Sequence, residues 1–401
     1  MLKDVVSATG LEQDSCASLL GIDPKLFNEW VMGQRPMPEF LIPQLSTVFG
    51  VSAQDLVSAK RISDAPAIWY KLRDSRFVPS DRESIVLIRN LGFFFAQLQD
   101  VTKSKNVLWK ALFEQIRTHI SKQASPSDQG RLAARLYRSA RNLSHGARGI
   151  GMAIRENLRG TGLLLIETPL PKSNIEGCSF YVGQTGSDVP CLFANTYGTT
   201  WFRRNLVLMH ELGHALFDLE SEALSVDYKG EEEYSQLQER RAQAFALEML
   251  VPMEVLRHIQ TSNGFKWHDL KSRDLALIVA GTDVEAGTAM RAAWEAGFID
   301  EQLYAKYSEY QIWDDLRQLT PRALSTKEFL RQTIGEQSIW PANKRTTTIS
   351  SLRLRLPVTY VKDVLTAACA QDISLRKAAE MLMIDKDTLV ERFAADLGVG
   401  K

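Results

Sequence analysis

Long apolar runs are missing from this 401-residue chain: none approaches the roughly 18 residues that a membrane span needs. That predicts no membrane partner. Cysteine is scarce, and Cys16, Cys178, Cys191 and Cys369 stand far apart, without the C-x-x-C spacing of a zinc knuckle. They read as buried small hydrophobes in a reducing cytoplasm, not as a disulfide framework. The opening residues, MLKDVVSATGLEQDS, lack the apolar stretch of a signal peptide, so a cytoplasmic location is expected. No phosphate-binding G-x-x-x-x-G-K-[ST] run and no dinucleotide-binding glycine pattern occurs, which argues against a nucleotide cofactor. Net charge is absent too: 48 basic residues balance 48 acidic ones. A chain of this length and ordinary hydrophobic content should form two or three globular domains.

Against these absences one motif stands out, His210-Glu211-Leu212-Gly213-His214, in a stretch that reads as helix from Arg203 onward. Residues four apart share a helix face, so both imidazoles can reach one metal ion, with Glu211 close enough to act as general base. Zinc chemistry uses this arrangement, the ion lowering the pKa of water to about 7 so that a neighbouring carboxylate can take its proton. His119, His145, His258 and His268 stand alone and read as structural or exposed.

A catalytic zinc needs a third protein ligand. The continuation H-E-x-x-H-x-x-G-x-x-H is excluded, because Phe217 and Glu220 occupy the glycine and histidine positions. A second helix over residues 239–250, stopped by Pro252, offers Glu239 on the same stripe as Ala242, Ala246, Met249 and Leu250. A carboxylate on an apolar face needs a cation or strong donors. Glu248 falls on the opposite face, where water is expected, and Glu231, Glu232 and Glu233 read as a solvated loop. Glu239 is therefore the best third ligand, the alternative being a carboxylate that only complements the helix dipole.

The runs FANTYGTTWFRRNLVLMHELGHALFD and ERRAQAFALEMLVP together resemble the ImmA/IrrE zinc metallopeptidases, over roughly residues 160–252. The resemblance rests on an asparagine-ending strand, an arginine, an apolar run into H-E-x-x-H and the E-x-x-A-x-x-F-A helix. It implies that His210, His214 and Glu239 bind Zn2+ and that Glu211 is the general base. Leu206-Val207-Leu208-Met209, Gln243 and Met249 depart from the usual family residues without touching the metal ligands.

Short β-prone runs precede the motif: residues 163–166, 178–182 and 190–194, separated by turn residues. A small sheet beside two zinc-bearing helices makes an α+β class with a zincin-like core. An edge strand of that sheet would hold an extended peptide by backbone hydrogen bonds.

The first sixty residues read as helix, glycine turn and capped helix, with Asp23 as N-cap and Pro24 at the first helical position. They resemble repressor-type (XRE-like) helix-turn-helix modules. Their charge suits DNA poorly: four basic residues face seven acidic ones, a balance of −3. Protein docking or dimerisation is at least as good a reading. Residues 101–160 carry twelve Lys and Arg against Glu114, Asp128 and Glu156, net +9. Arg131, Arg135, Arg138 and Arg141 recur at helical spacing there, ordinarily a solvated face, with nucleic acid or an acidic partner as the sharper alternative. Near the C-terminus, residues 372–389 repeat the two-helix pattern, most simply a helical hairpin.

The expected organisation is residues 1–62 helix-turn-helix, 63–150 basic helical connector, 151–300 metallopeptidase core and 301–401 helical extension. The expected function is a zinc-dependent regulatory endopeptidase that cleaves one repressor or antitoxin-like protein. The rival is a DNA-binding transcriptional regulator or antitoxin that keeps the zincin fold as scaffold. Against the rival stands Glu211, which a structural zinc site does not require.

Overall fold

The computed structural model describes residues 2–9, 11–49, 56, 79–101, 108–143, 150–171, 173–182, 189–219, 224–228, 237–310, 315, 358–382, 384 and 386–393. Glu231, Glu232, Glu233, His145 and most of 50–78 and 311–357 lie outside them. Four helices come first: α1 (Leu2–Thr9), α2 (Gln13–Leu20), α3 (Pro24–Val31) and α4 (Ile42–Phe49). Then follow α5 (Pro79–Val101), α6 (Leu108–Thr118), α7 (Pro126–Ala140) and α8 (Ile150–Thr161). The sheet strands are β1 (Leu164–Thr168), β2 (Ile175–Val182) and β3 (Val189–Asn195), then β4 (Leu224–Tyr228) after α9 (Trp201–Phe217). The chain continues through α10 (Leu237–Leu250), α11 (Met253–Asn263), α12 (Ser272–Thr282), α13 (Ala286–Glu295) and α14 (Glu301–Tyr307). It closes with α15 (Val358–Cys369), α16 (Leu375–Met381) and α17 (Lys386–Phe393). The result is mostly helical with one small mixed sheet, an α+β arrangement.

Side-chain oxygens start many of these helices where the sequence offers them. Asp23 accepts from Leu26 N at 3.1 Å, Ser125 from Asp128 N at 3.2 Å, and Thr200 from Arg203 N at 3.0 Å. Pro24 and Pro126 occupy the first turns, where a missing N–H costs nothing.

The sheet runs β1-β3-β2-β4, with β1 parallel to β3 and both β2 pairings antiparallel. Both faces are covered, so β1, β2 and β3 read as near-continuous apolar runs and show little alternation. Leu163, Leu165, Leu192 and Ala194 pack toward α9 and the helices beyond it. Leu164, Ile166, Cys178, Phe180, Cys191 and Phe193 pack toward α5. That 23-residue helix also carries the terminal helices: α2 and α4 lie against it, and Phe95 stacks on Tyr360 of α15 at 4.1 Å. Residues from α6 and α7 share the core of α9 and α10.

Two expectations need correction. Cys16, Cys178 and Cys191 are buried free thiols as expected, but Cys369, at the end of α15, is exposed. The arginines of α7 are not a freely solvated face. Arg131 pairs with Glu295 at 3.0 Å and Arg135 with Glu248 at 2.9 Å, while buried Arg138 donates to the carbonyl of Met249. The cause is that α7 lies along α10, which places its basic stripe against that helix.

Candidate metal centre

Asn195, at the end of β3, fixes where the site helix begins. Buried, it donates to the carbonyls of Leu170 and Ile175 and accepts from the amides of Leu170 and Tyr197. Four backbone groups in two turns are thereby satisfied by one side chain. Thr200 then caps α9, whose next turns carry His210, Glu211 and His214. The first of these lies at the surface of the buried zone, 9% exposed, and the other two are buried.

Gly213 lets α10 approach. A Cβ there would stand 2.9 Å from the Ala242 Cα, a separation that ordinary Cβ atoms essentially never show. The close crossing brings Glu239, in the first turn of α10, over the two imidazoles. The Nε2 atoms of His210 and His214 lie 3.0 Å apart. Glu239 Oε2 is 3.1 Å from His210 Nε2, and its Oε1 is 3.4 Å from His214 Nε2. The three expected ligands are thus together.

A fourth group joins them. Asp227 of β4 places Oδ2 at 3.2 Å from His210 Nε2, and one ligand atom from each of the four residues lies within 4.8 Å of the others. Sequence reasoning missed it, because LSVDY is a short run beside an acidic stretch and its pairing with β2 is a tertiary event. Asp218 was missed as well. It accepts from His214 Nδ1 at 2.9 Å and pairs with Arg241 on its other oxygen. Its signal was legible: Asp218 follows His214 by four residues, at the C-cap of the same helix. Carboxylates in this position fix the tautomer and orientation of a ligating imidazole.

Glu211 sits beside the cluster, against Gly177 of β2. A Cβ on Gly177 would come within 2.6 Å of Glu211 Oε1 and of Val207 Cγ1, so glycine makes the room. Both Glu211 carboxyl oxygens are buried without a hydrogen-bond partner. Burial, with the negative charge of Asp227 added, pushes this carboxyl well above the usual carboxylate range. For His214, burial disfavours the charged form, but donation to Asp218 and Glu239 outweighs it and raises the imidazole well above its ordinary value. Burial would raise Glu239, yet bonds from His210 and His214 hold it far below. The site therefore favours positive charge, and two imidazoles with carboxylates are the donor set that divalent zinc takes.

Glu248 corrects an expectation. It is buried, not watered, and pairs with Arg135, because α10 is covered by α9 on one side and α7 on the other.

Residues 159–273 match the model of a peptidase family described as the IrrE N-terminal-like domain. This segment resembles a metallopeptidase. Among curated proteins no match to the chain is found. The matched residues run from the end of α8 to the start of α12 and include all four clustered side chains and Glu211. The match supports the ImmA/IrrE resemblance over that segment. Among the described residues, no helix is long and apolar enough to cross a membrane.

Proposed function

We propose that the protein is a zinc-dependent endopeptidase of the cytoplasm that cleaves a specific regulatory protein, repressor-like or antitoxin-like. His210, His214 and Glu239 hold the metal, with Glu211 as general base. The observation that carries this reading is the convergence of the two imidazoles and Glu239 beside a buried carboxylate that has no hydrogen-bond partner. A divalent zinc held there acts as Lewis acid on a carbonyl and brings the pKa of water down to about 7. Glu211, poorly ionised where it is buried, would be driven to its ionised form by a nearby positive charge, and as a carboxylate it would accept a proton and return it to the leaving amine. Asp218 keeps the His214 ring oriented through Nδ1. Glu239, held anionic, balances the charge. β4, at the end of the sheet order, lies next to these groups, and an extended peptide adding to its outer side would run past them.

Selectivity on this reading comes from residues 1–62, a helix-turn-helix module that docks the partner and raises its effective concentration at the site. The alternative, a DNA-binding regulator, draws support from the turn between α2 and α3, where Gly21 takes a left-handed φ of 68°. It is weakened by the net charge of −3 over residues 1–60 and by the internal engagement of the α7 arginines.

Glu211→Gln preserves shape and cannot take a proton. We expect it to bind metal as the wild type does and to lose cleavage of the partner by about 10²–10⁴-fold. Cleavage at the wild-type rate in a co-expression assay would refute the general-base role.

A further inference from the structure

We propose that Asp227 is a fourth protein ligand of the metal, so that β4 closes the site until a peptide engages that strand. This rests on the metallopeptidase reading and goes beyond its three ligands. A tetrahedral ion with bonds of about 2.0–2.1 Å sets its ligand atoms about 3.3–3.4 Å apart. The separations here are 3.0 Å between the imidazole nitrogens, 3.1 Å and 3.4 Å to Glu239, and 3.2 Å from His210 to Asp227. Asp227 meets that spacing toward His210, and lies within 4.8 Å of the other ligand atoms.

The strand is built to aim it. The β2–β4 register pairs Ile175 with Tyr228 and Gly177 with Asp227, leaving a bulge at Glu176. Bulges kink a strand pair and redirect a side chain, and this one sits at Asp227 itself. Glu176 is held by Arg203 of α9 through two hydrogen bonds of 2.7 and 2.6 Å, which anchor the bulge to the site helix.

Closure follows from burial. Glu211 is 0% exposed and His214 1%, while the side chains of His210, Asp227 and Glu239 are 11%, 22% and 21% exposed, so a peptide carbonyl approaching the cluster meets Asp227 and Glu239 before Glu211. Moving β4 is the cheapest way in. Among the described residues it is a five-residue strand at the end of the sheet order, paired with β2, whereas β2 and β3 are each paired on both sides. A peptide pairing along the outer side of β4 would draw the strand outward and take Asp227 off the metal. The position that Asp227 leaves would then be open to water, next to Glu211. Latency and substrate engagement are therefore coupled through one side chain.

The test uses the full chain and reads metal binding, not turnover. Zinc affinity is measured by competition with a chromophoric chelator. The cobalt(II)-loaded protein is then titrated with azide, a small anion that enters only an open coordination position. Wild type should give a cobalt spectrum insensitive to azide. Asp227→Ala should lose zinc affinity by about tenfold or more and gain an azide-dependent spectrum. Asp227→Asn, which preserves the shape of the strand, should follow it. Unchanged affinity with the same azide response in all three proteins overturns Asp227 as ligand. If wild type binds no metal, the metallopeptidase reading itself fails. If metal is lost in His214→Ala but indifferent to Asp227→Ala, only the present inference fails.

Discussion

Helix α9 carries two buried polar clusters, one turn and a half apart, and they are built on opposite plans. At its N-terminal end Arg155 of α8 grips Glu167 of β1 with two hydrogen bonds of 2.8 and 2.7 Å, and Arg204 approaches the same carboxylate at 3.6 Å. Arg155 also lies over the Trp201 ring at 3.9 Å, and Asn205 ties the group to the carbonyl of Asp283 at 2.8 Å. Burial would raise the Glu167 carboxyl, but the arginines hold it below the usual range. In the middle of the helix the proportions reverse. Glu211, Glu239, Asp227 and Asp218 surround two imidazoles and a single guanidinium, that of Arg241. The first cluster joins α8, β1 and α9 into one scaffold through cations that the chain itself supplies. The second gathers four carboxyl groups around two imidazoles, the donor set of a place that takes a cation from outside. Buried charge alone does not mark a site; its balance does.

Breaking the first cluster should cost stability and leave the metal chemistry intact. Arg155→Ala strands Glu167 in the interior, and we expect a loss of about 3–5 kcal/mol in denaturant unfolding. The folded fraction should retain its metal. Because Glu167 is held low, its stabilising contribution is full above its unfolded pKa, about 4.3, and is lost as pH falls through the lower folded value. Arg155→Ala should remove that acid-side loss. A normal acid limb in the variant would show that the pair is not its source.

Disturbing the second cluster one shell out should do the reverse. Asp218→Asn removes the charge and leaves one acceptor oxygen for His214 and Arg241 to share, and should lower zinc affinity about 10–100-fold, with little change in unfolding. Equal affinity would mean that the imidazole is oriented by packing alone.

The smallest effect is expected at Glu248, on the same helix as Glu239 but turned to Arg135. Burial raises this carboxyl despite its partner. A raised folded pKa means that stability falls as pH rises through the window from the unfolded value, about 4.3, upward. Glu248→Gln should flatten that decline and leave zinc content unchanged. A loss of zinc in this variant would move the third ligand away from Glu239.

What the sequence made legible follows the range of the forces involved. His210, Glu211 and His214 are a local pattern, and helical spacing alone places them on one face. Glu239 was found because a carboxylate on an apolar stripe demands a partner. The caps Asp23 and Thr200 act within one turn, and the Asp23 cap was read directly. Asp227 could not be found this way, since it reaches His210 only through strand pairing and a bulge at Glu176. Glu248 misled for a related reason. The helix face opposite Glu239 is exposed only if nothing packs there, and α7 does. Nothing local in the sequence joins Arg155 to Glu167.

The central claim is that the middle cluster of α9 holds a metal ion. Elemental analysis of the purified full chain, beside His210→Ala and His214→Ala, tests it most directly. The account predicts about one zinc per wild-type chain and almost none in either variant, with all three proteins folded. A wild-type protein without metal, or variants that retain it, would contradict the account.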